Sequence, residues 1–247
     1  MTDATDVVDA ANAVDAFYSR YAALYDRIAS DAPFAARLRA ALAAAVDLQR
    51  GDVVVELGCG TGANFPVFRE RVGPEGAVVG VDVASGVLPR AQDRVDREGW
   101  ENVHVVRGDA TKPPVAPADL PRTAGPAGEV DVVVSSFVSG MFGNPARVVG
   151  DWCSIVGDGG RIGLLDLARS TQSCGRPLDP LFRLFVRAGS PPGTKAQHGS
   201  PVRVLDERVR DAHARVHERC STASTTRRLA GFARITSGRV DGDAGDE

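Results

Sequence analysis

The chain has 247 residues, 43% of them hydrophobic and 25% charged, with a formal net charge of -3. That is ample for one domain with a sizeable core and tight for two. The balance shows no basic surplus that would argue for a general nucleic-acid surface, and no apolar run approaches the length of a membrane span.

The acidic start, Met1 to Asp6, lacks the basic and apolar regions of a secretory signal, so a cytoplasmic location is expected. Residues 1–14 read as a flexible tail. Phe17, Tyr21, Leu24, Tyr25 and Ile28 then recur at helical spacing. Pro33 punctuates, and Phe34 to Leu48 is predicted as a second amphipathic helix. The tyrosines Tyr18, Tyr21 and Tyr25 have two readings, a core stripe or a closing lid, and residues 15–50 are taken as an N-terminal helical lid.

The chain is organised around the stretch from Val53 to Gly62. Val53 to Val55 reads as a buried parallel strand. It runs through Glu56 into Gly58, Gly60 and Gly62, and a helix over Ala63 to Val72 comes next, interrupted early by Pro66. Glycines there let a strand turn into a helix while the backbone passes close to a ligand. The spacing is Gly-x-Gly-x-Gly, whereas the dinucleotide fingerprint is Gly-x-Gly-x-x-Gly. A fixed acid at Glu56 would repel a pyrophosphate and would suit a ligand with a positive charge.

A second buried strand, Ala77 to Asp82, ends in an acid 20 residues beyond Gly62. A carboxylate has two acceptor oxygens, so Asp82 can grip a vicinal diol. Its alternative is to cap the next helix near Ser85. Val87 to Glu98 is predicted helical, with Pro89 tolerated in its first turn. Asn102 to Arg107 is the third strand, ended by Gly108-Asp109-Ala110, and its His104 reads as a satisfied structural histidine. Five prolines between Lys112 and Gly128 mark a surface insertion.

Glu129 to Ser136 is the fourth strand. Ligands in open α/β sheets bind outside the carboxyl ends of strands, which places a substrate near Ser135 to Asn144. Phe137, Met141 and Phe142 would wall that place or only pack beneath a loop. Asn144 to Val156 is a helix and Arg161 to Leu167 the fifth strand, in which Asp166 either touches substrate or pairs with an arginine. The segment 170–200, with a short apolar helix over Leu181 to Val186, reads as a substrate cover or a homodimer contact. In the charged helix Pro201 to Cys220, His213 and His217 share a face. No third ligand is visible, so they are read as a solvated face and no metal is expected. Ala233 to Val240 is the last strand, and 241–247 is an expected disordered tail. Cys59, Cys153, Cys174 and Cys220 show no metal or redox spacing and are read as reduced packing thiols.

Glu56-Leu57-Gly58-Cys59-Gly60-Thr61-Gly62 resembles motif I of the class I S-adenosylmethionine (SAM)-dependent methyltransferases. Tyr25-Asp26, Gly108-Asp109-Ala110 and Ser136-Phe137 resemble, within that class, the family that C-methylates ubiquinone and menaquinone precursors. The run Val138 to Asn144 departs from that family by lacking the arginine of its Gly-x-Arg-Asn. The resemblance implies an α/β fold with a Rossmann-like doubly wound seven-stranded sheet, mostly parallel with an antiparallel last strand. That last strand, opened by Gly231-Phe232, would pair at the sheet edge. A single methyltransferase domain over 15–240 is implied. SAM is the implied cofactor, contacted by Glu56, Gly58, Gly60, Thr61, Gly62, Asp82, Val83, Asp109, Ala110 and Ser136. In this scheme Asp82 holds the ribose, and Asp109 with the Ala110 amide meets the adenine edge. The implied partner is a small-molecule methyl acceptor, a quinone precursor or similar apolar ring, with direct displacement as the mechanism. Asp166 and His198 are the candidates if a catalytic base exists. A SAM-binding protein without catalysis, or a methyltransferase of another substrate class, is the alternative.

Overall fold

The computed structural model describes residues 33–114, 130–156, 159–188 and 200–241. The tyrosine-bearing segment 14–28, the proline-rich insertion beyond residue 114, His198 and the tail beyond residue 241 lie outside the described residues.

Seven strands form one sheet in the order β3-β2-β1-β4-β5-β7-β6. They are β1 (Val53–Leu57), β2 (Ala77–Asp82), β3 (Val103–Arg107), β4 (Val132–Ser136), β5 (Arg161–Leu167), β6 (Ser224–Arg228) and β7 (Ala233–Arg239). β1 pairs parallel with β2 and β4, β2 with β3, and β4 with β5. β7 pairs antiparallel with both β5 and β6. The strand order reverses between β1 and β4, and such a reversal opens a crevice at the carboxyl ends of the strands.

Valine-rich strands β1, β2 and β4 are buried along nearly their whole length because helices cover both faces. On one face, Leu42 and Val46 from helix α1 (Pro33–Ala45) and its C-terminal turn pack with Phe65 and Phe68 of α2 (Phe65–Val72) and with Ala91 of α3 (Leu88–Glu98) over Val54, Val78 and Val132. On the other, Val149 and Trp152 of α4 (Pro145–Val156) meet Ala212 and Val216 of α6 (Pro201–Arg219) over Val55, Val79, Ile162 and Leu164. Between β5 and α6 the chain forms α5 (Asp179–Ala188).

Three expectations need correction. The stretch 33–48 is part of the layer covering the sheet, not a lid: Val46 packs so closely on Gly163 of β5 that a Cβ there would lie 2.2 Å from its Cγ1. β7 is interior, between β5 and β6, rather than at the edge. The edge strand β6, Ser-Thr-Thr-Arg-Arg, has no counterpart in the hydrophobic pattern because four of its five residues are exposed and it pairs on one side only. Its arginines keep that edge from pairing with other chains. Two smaller differences concern polar groups. His104 is not satisfied among the described residues, since its buried Nε2 has no hydrogen-bond partner there. Cys174 is exposed while the other three thiols are buried.

Candidate active site

The carboxyl ends of the five parallel strands lie along one edge of the sheet. β1 delivers Glu56 and Leu57 there, and the glycine turn comes directly after. Gly58 has φ +78° and Gly60 φ +56°, a left-handed backbone that favours glycine. A Cβ on Gly58 would lie 2.4 Å from Val138 Cγ2, so the turn and the loop after β4 are in close contact, whereas a Cβ on Gly60 would meet nothing within 4 Å. Gly58 N and Cys59 N both donate to Val81 O, at 2.8 and 3.1 Å, which folds the turn over the end of β2.

Asp82 stands at that end. Its Oδ2 accepts from Gly60 N at 2.8 Å and its Oδ1 from Ala84 N at 2.9 Å. α3 begins only at Leu88, so Asp82 clamps the glycine turn rather than capping a helix. Gly108 N donates to Asp82 O at 3.0 Å, which brings the exit of β3 alongside. There Asp109 is exposed, with its Oδ1 accepting from Thr111 N at 2.8 Å. Ala110 is buried, and its carbonyl accepts from Trp152 Nε1 at 2.7 Å. Val83, next to Asp82, is 52% exposed although it is apolar. Thr61 is buried within the turn.

Glu56 is 1% exposed and lies beneath the turn. Asn64 Nδ2 donates to Glu56 Oε1 and also to Ser136 Oγ, the latter at 3.0 Å. One side chain thus joins the tips of β1 and β4 across the reversal in strand order. Ser135 Oγ reinforces the join by donating to Leu57 O at 2.8 Å. Among the described residues Glu56 Oε2, which is buried, has no hydrogen-bond partner. Burial pushes the Glu56 carboxyl up to about 8, with Asp82 adding to the rise, against the Asn64 hydrogen bond and the Arg39 charge. Asn64 carries little signal in the sequence. It is a polar residue between the glycine turn and an apolar helix start, and nothing local says that it faces inward.

At the exit of β4, Phe137 has φ +62° and donates its N–H to Leu165 O at 2.7 Å. That conformation is strained for an aromatic residue and is found where the surrounding structure over-determines it, often at functional sites. Met141 is 41% exposed. Phe142 takes the packing alternative, with its ring set edge-on to Trp152 at 5.6 Å and 83°.

Asp166 neither faces the crevice nor pairs with an arginine. It is 2% exposed, and its Oδ2 accepts from Ser139 Oγ at 2.6 Å and lies 3.2 Å from His213 Nε2. His213 Nδ1 lies 2.6 Å from Thr236 Oγ1, which is 2.6 Å from Thr225 Oγ1, itself 2.9 Å from His217 Nε2. The row runs unbroken from Ser139 through Asp166, His213, Thr236 and Thr225 to His217, so each of these polar groups has a partner within it. His213 is therefore a buried structural group, not part of a solvated face, because β7 and β6 present threonines to α6. Among the described residues no group of histidines, cysteines and acids could hold a metal. Asp166→Ala is expected to cost about 3 kcal/mol in urea unfolding, since Ser139 and His213 lose a buried acceptor, and Asp166→Asn about half of that. Equal stability of all three proteins would show that the row contributes nothing to folding.

The sheet order, the glycine turn and the acid at the tip of β2 define a Rossmann-like α/β domain whose crevice at the strand tips suits SAM. Residues 54–160 match the family described as a methyltransferase domain. The nocamycin O-methyltransferase of Saccharothrix syringae is 32% identical over 147 residues, 60% of this chain and 48% of that protein. A protein-L-isoaspartate O-methyltransferase of Ignicoccus hospitalis is 43% identical over 77 residues, 30% of this chain and 36% of that protein. The aligned stretch thus spans half or less of these curated relatives. A SAM-dependent methyltransferase from Aquifex aeolicus superposes with a TM-score of 0.53 over 78% of this chain and 84% of its own, at 15% identity, which speaks to the fold. The residues present fit SAM. An acid oxygen without a partner is buried beneath the turn, the Gly60 backbone is open to close approach, and an exposed valine flanks the strand-tip acid.

Proposed function

We propose that the chain transfers the methyl group of SAM to a small-molecule acceptor carrying an apolar ring, with a quinone precursor as the narrower candidate. The observation that carries this reading is the partnerless Glu56 Oε2, held by Asn64 beneath the glycine turn at the β1–β4 reversal. A buried anion is costly unless a positive group meets it, and SAM brings both a sulfonium and an ammonium. In this reading Glu56 faces that positive end, while Gly58, Gly60, Thr61 and Gly62 bring backbone against the ligand. Asp82 accepts from the ribose hydroxyls. Val83 lies on the adenine, Asp109 and the Ala110 amide meet its edge, and Ser136 completes the wall from β4. Bound SAM supplies an already activated methyl group, so the protein's task is to align and to exclude water. Phe137 and Met141 present the apolar surface for the acceptor. Asp166, buried among Ser139 and His213, is a positioning group for the β4 loop and no longer a candidate base.

The small-molecule class is supported by that apolar lining and by the relative that acts on nocamycin. The quinone candidate is supported by Gly108-Asp109-Ala110 and Ser136-Phe137. The test is incubation of the purified protein with methyl-labelled SAM and a panel of hydroxylated aromatic and quinoid acceptors. S-adenosylhomocysteine should form in step with a methylated product. Tight SAM binding without product from any ring acceptor would favour the non-catalytic alternative. No SAM binding by the folded protein would remove both.

A further inference from the structure

Helix α5 carries apolar side chains on two opposite sides. Phe182 and Val186 face inward, packed with Val202, Leu167, Leu205 and Phe232, whose ring centroid lies 5.1 Å from that of Phe182. Leu181, Leu184 and Phe185 face outward at 66%, 65% and 50% exposure, extended by Leu178 at 48% in the preceding turn. Their i, i+3, i+4 spacing makes them one stripe. Single exposed leucines need no explanation, but four large apolar residues together mark a contact.

The charges beside the stripe say what kind. Arg183 and Arg187, four apart, line one flank of the helix, and Arg176 stands in the turn before it. All three are exposed, and among the described residues none is in an ion pair with an acid. The only acid between residues 170 and 188 is Asp179, which is turned inward so far that its Oδ1 is buried. A second copy docked face to face through this stripe would bring a second set of arginines and no exposed acid of this segment to meet the first, since a two-fold contact pairs the same patch with itself. An apolar stripe with a one-sided basic flank and no exposed acid suits an anionic lipid surface instead.

We propose that α5 is a membrane-docking helix that seats on anionic bilayers by inserting Leu178, Leu181, Leu184 and Phe185 among the headgroups while its arginines meet lipid phosphates. The chain reaches α5 from the carboxyl end of β5, where Ala168 N donates to Phe232 O at 2.9 Å. That is the same edge of the sheet as the glycine turn, so the chain sets out for the docking helix from the end of the sheet that carries the candidate site. The use of such docking, collecting an apolar acceptor from the bilayer, rests on the proposed methyl transfer; the docking itself does not.

The test is co-sedimentation of the full chain with vesicles of phosphatidylcholine alone or mixed with phosphatidylglycerol, which needs no activity to read. Binding to the mixed vesicles is expected, weakened by salt and much weaker on phosphatidylcholine alone. Arg183→Gln with Arg187→Gln should weaken it by about fivefold per arginine, the equivalent of ~1 kcal/mol each. Leu181→Ser with Leu184→Ser and Phe185→Ser should abolish it, with circular dichroism and the melting transition unchanged. A folded protein that ignores the mixed vesicles overturns the proposal, as does binding that neither variant moves. A dimer dispersed by the leucine variant, without vesicle binding, would assign the stripe to a second copy and overturn it equally.

Discussion

Asp82→Ala is expected to weaken SAM binding by about 10²-fold, read by calorimetric titration beside the unaltered protein. The carboxylate accepts from Gly60 N at 2.8 Å and from Ala84 N at 2.9 Å. Hydrogen bonds to a charged group are worth about 1.5–3 kcal/mol each. Losing the one to Gly60 frees the turn against which the ligand must lie, and losing the ribose acceptor adds to it. A loss of about 3 kcal/mol corresponds to a factor somewhat above 10². Asp82→Asn keeps one acceptor oxygen and should fall between. S-adenosylhomocysteine, which keeps the ribose, should lose affinity in parallel with SAM. Unchanged affinity in Asp82→Ala would show that the acid only shapes its own loop.

Glu56→Gln should change how stability depends on pH. The folded-state carboxyl is pushed up to about 8 from 4.5, chiefly by burial. Below 4.5 the group is protonated in both states and contributes no slope. Between 4.5 and 8 the unfolded chain gives up its proton while the folded chain keeps it, so stability falls as pH rises through that window. At 1.36 kcal/mol per pH unit, the loss is on the order of 5 kcal/mol. Glutamine keeps the acceptor for Asn64 and has no proton to lose. Urea unfolding at a series of pH values should therefore show a downward slope in the natural protein that is absent from Glu56→Gln. The variant should be the more stable of the two at about pH 8, and the two should be within about 1 kcal/mol at about pH 5. SAM binding should weaken in the same variant, because the anion that its positive end would meet is gone. A protein that retains a destabilising acid at this position has a use for it, since perturbed carboxyls concentrate at functional sites. Parallel slopes in the two proteins would rule out Glu56 as their source.

The amino-acid sequence by itself determined the parallel strands of the sheet and the glycine turn that leaves the first of them. Val53 to Val55, Val78 to Val81 and Val132 to Val134 read as strands because a parallel strand covered on both faces needs apolar residues in succession, a local property. Gly58, Gly60 and Asp82 were legible for a similar reason. A sharp strand-to-helix turn and an acid at the next strand tip are short-range patterns, and the hydrogen bond from Gly60 N to Asp82 joins them as the pattern implies.

Tertiary structure alone decided the rest. The polar edge strand β6 has no hydrophobic signature, since half of its pairing surface and both of its faces meet water. β7 took an interior place through long-range pairing with β5, which no local preference encodes. Whether Phe142 walls a site or packs beneath a loop is open in the sequence, and its packing partner appears only when Trp152 of α4 is set beside it. Asn64 became the link between Glu56 and Ser136 only when β4, 72 residues away, came to lie next to β1. The row from Ser139 through Asp166 and His213 to Thr236 draws on the β4 loop, β5, α6 and β7. A buried polar group is assigned by the partner that satisfies it, and such partners are neighbours in space rather than in the chain.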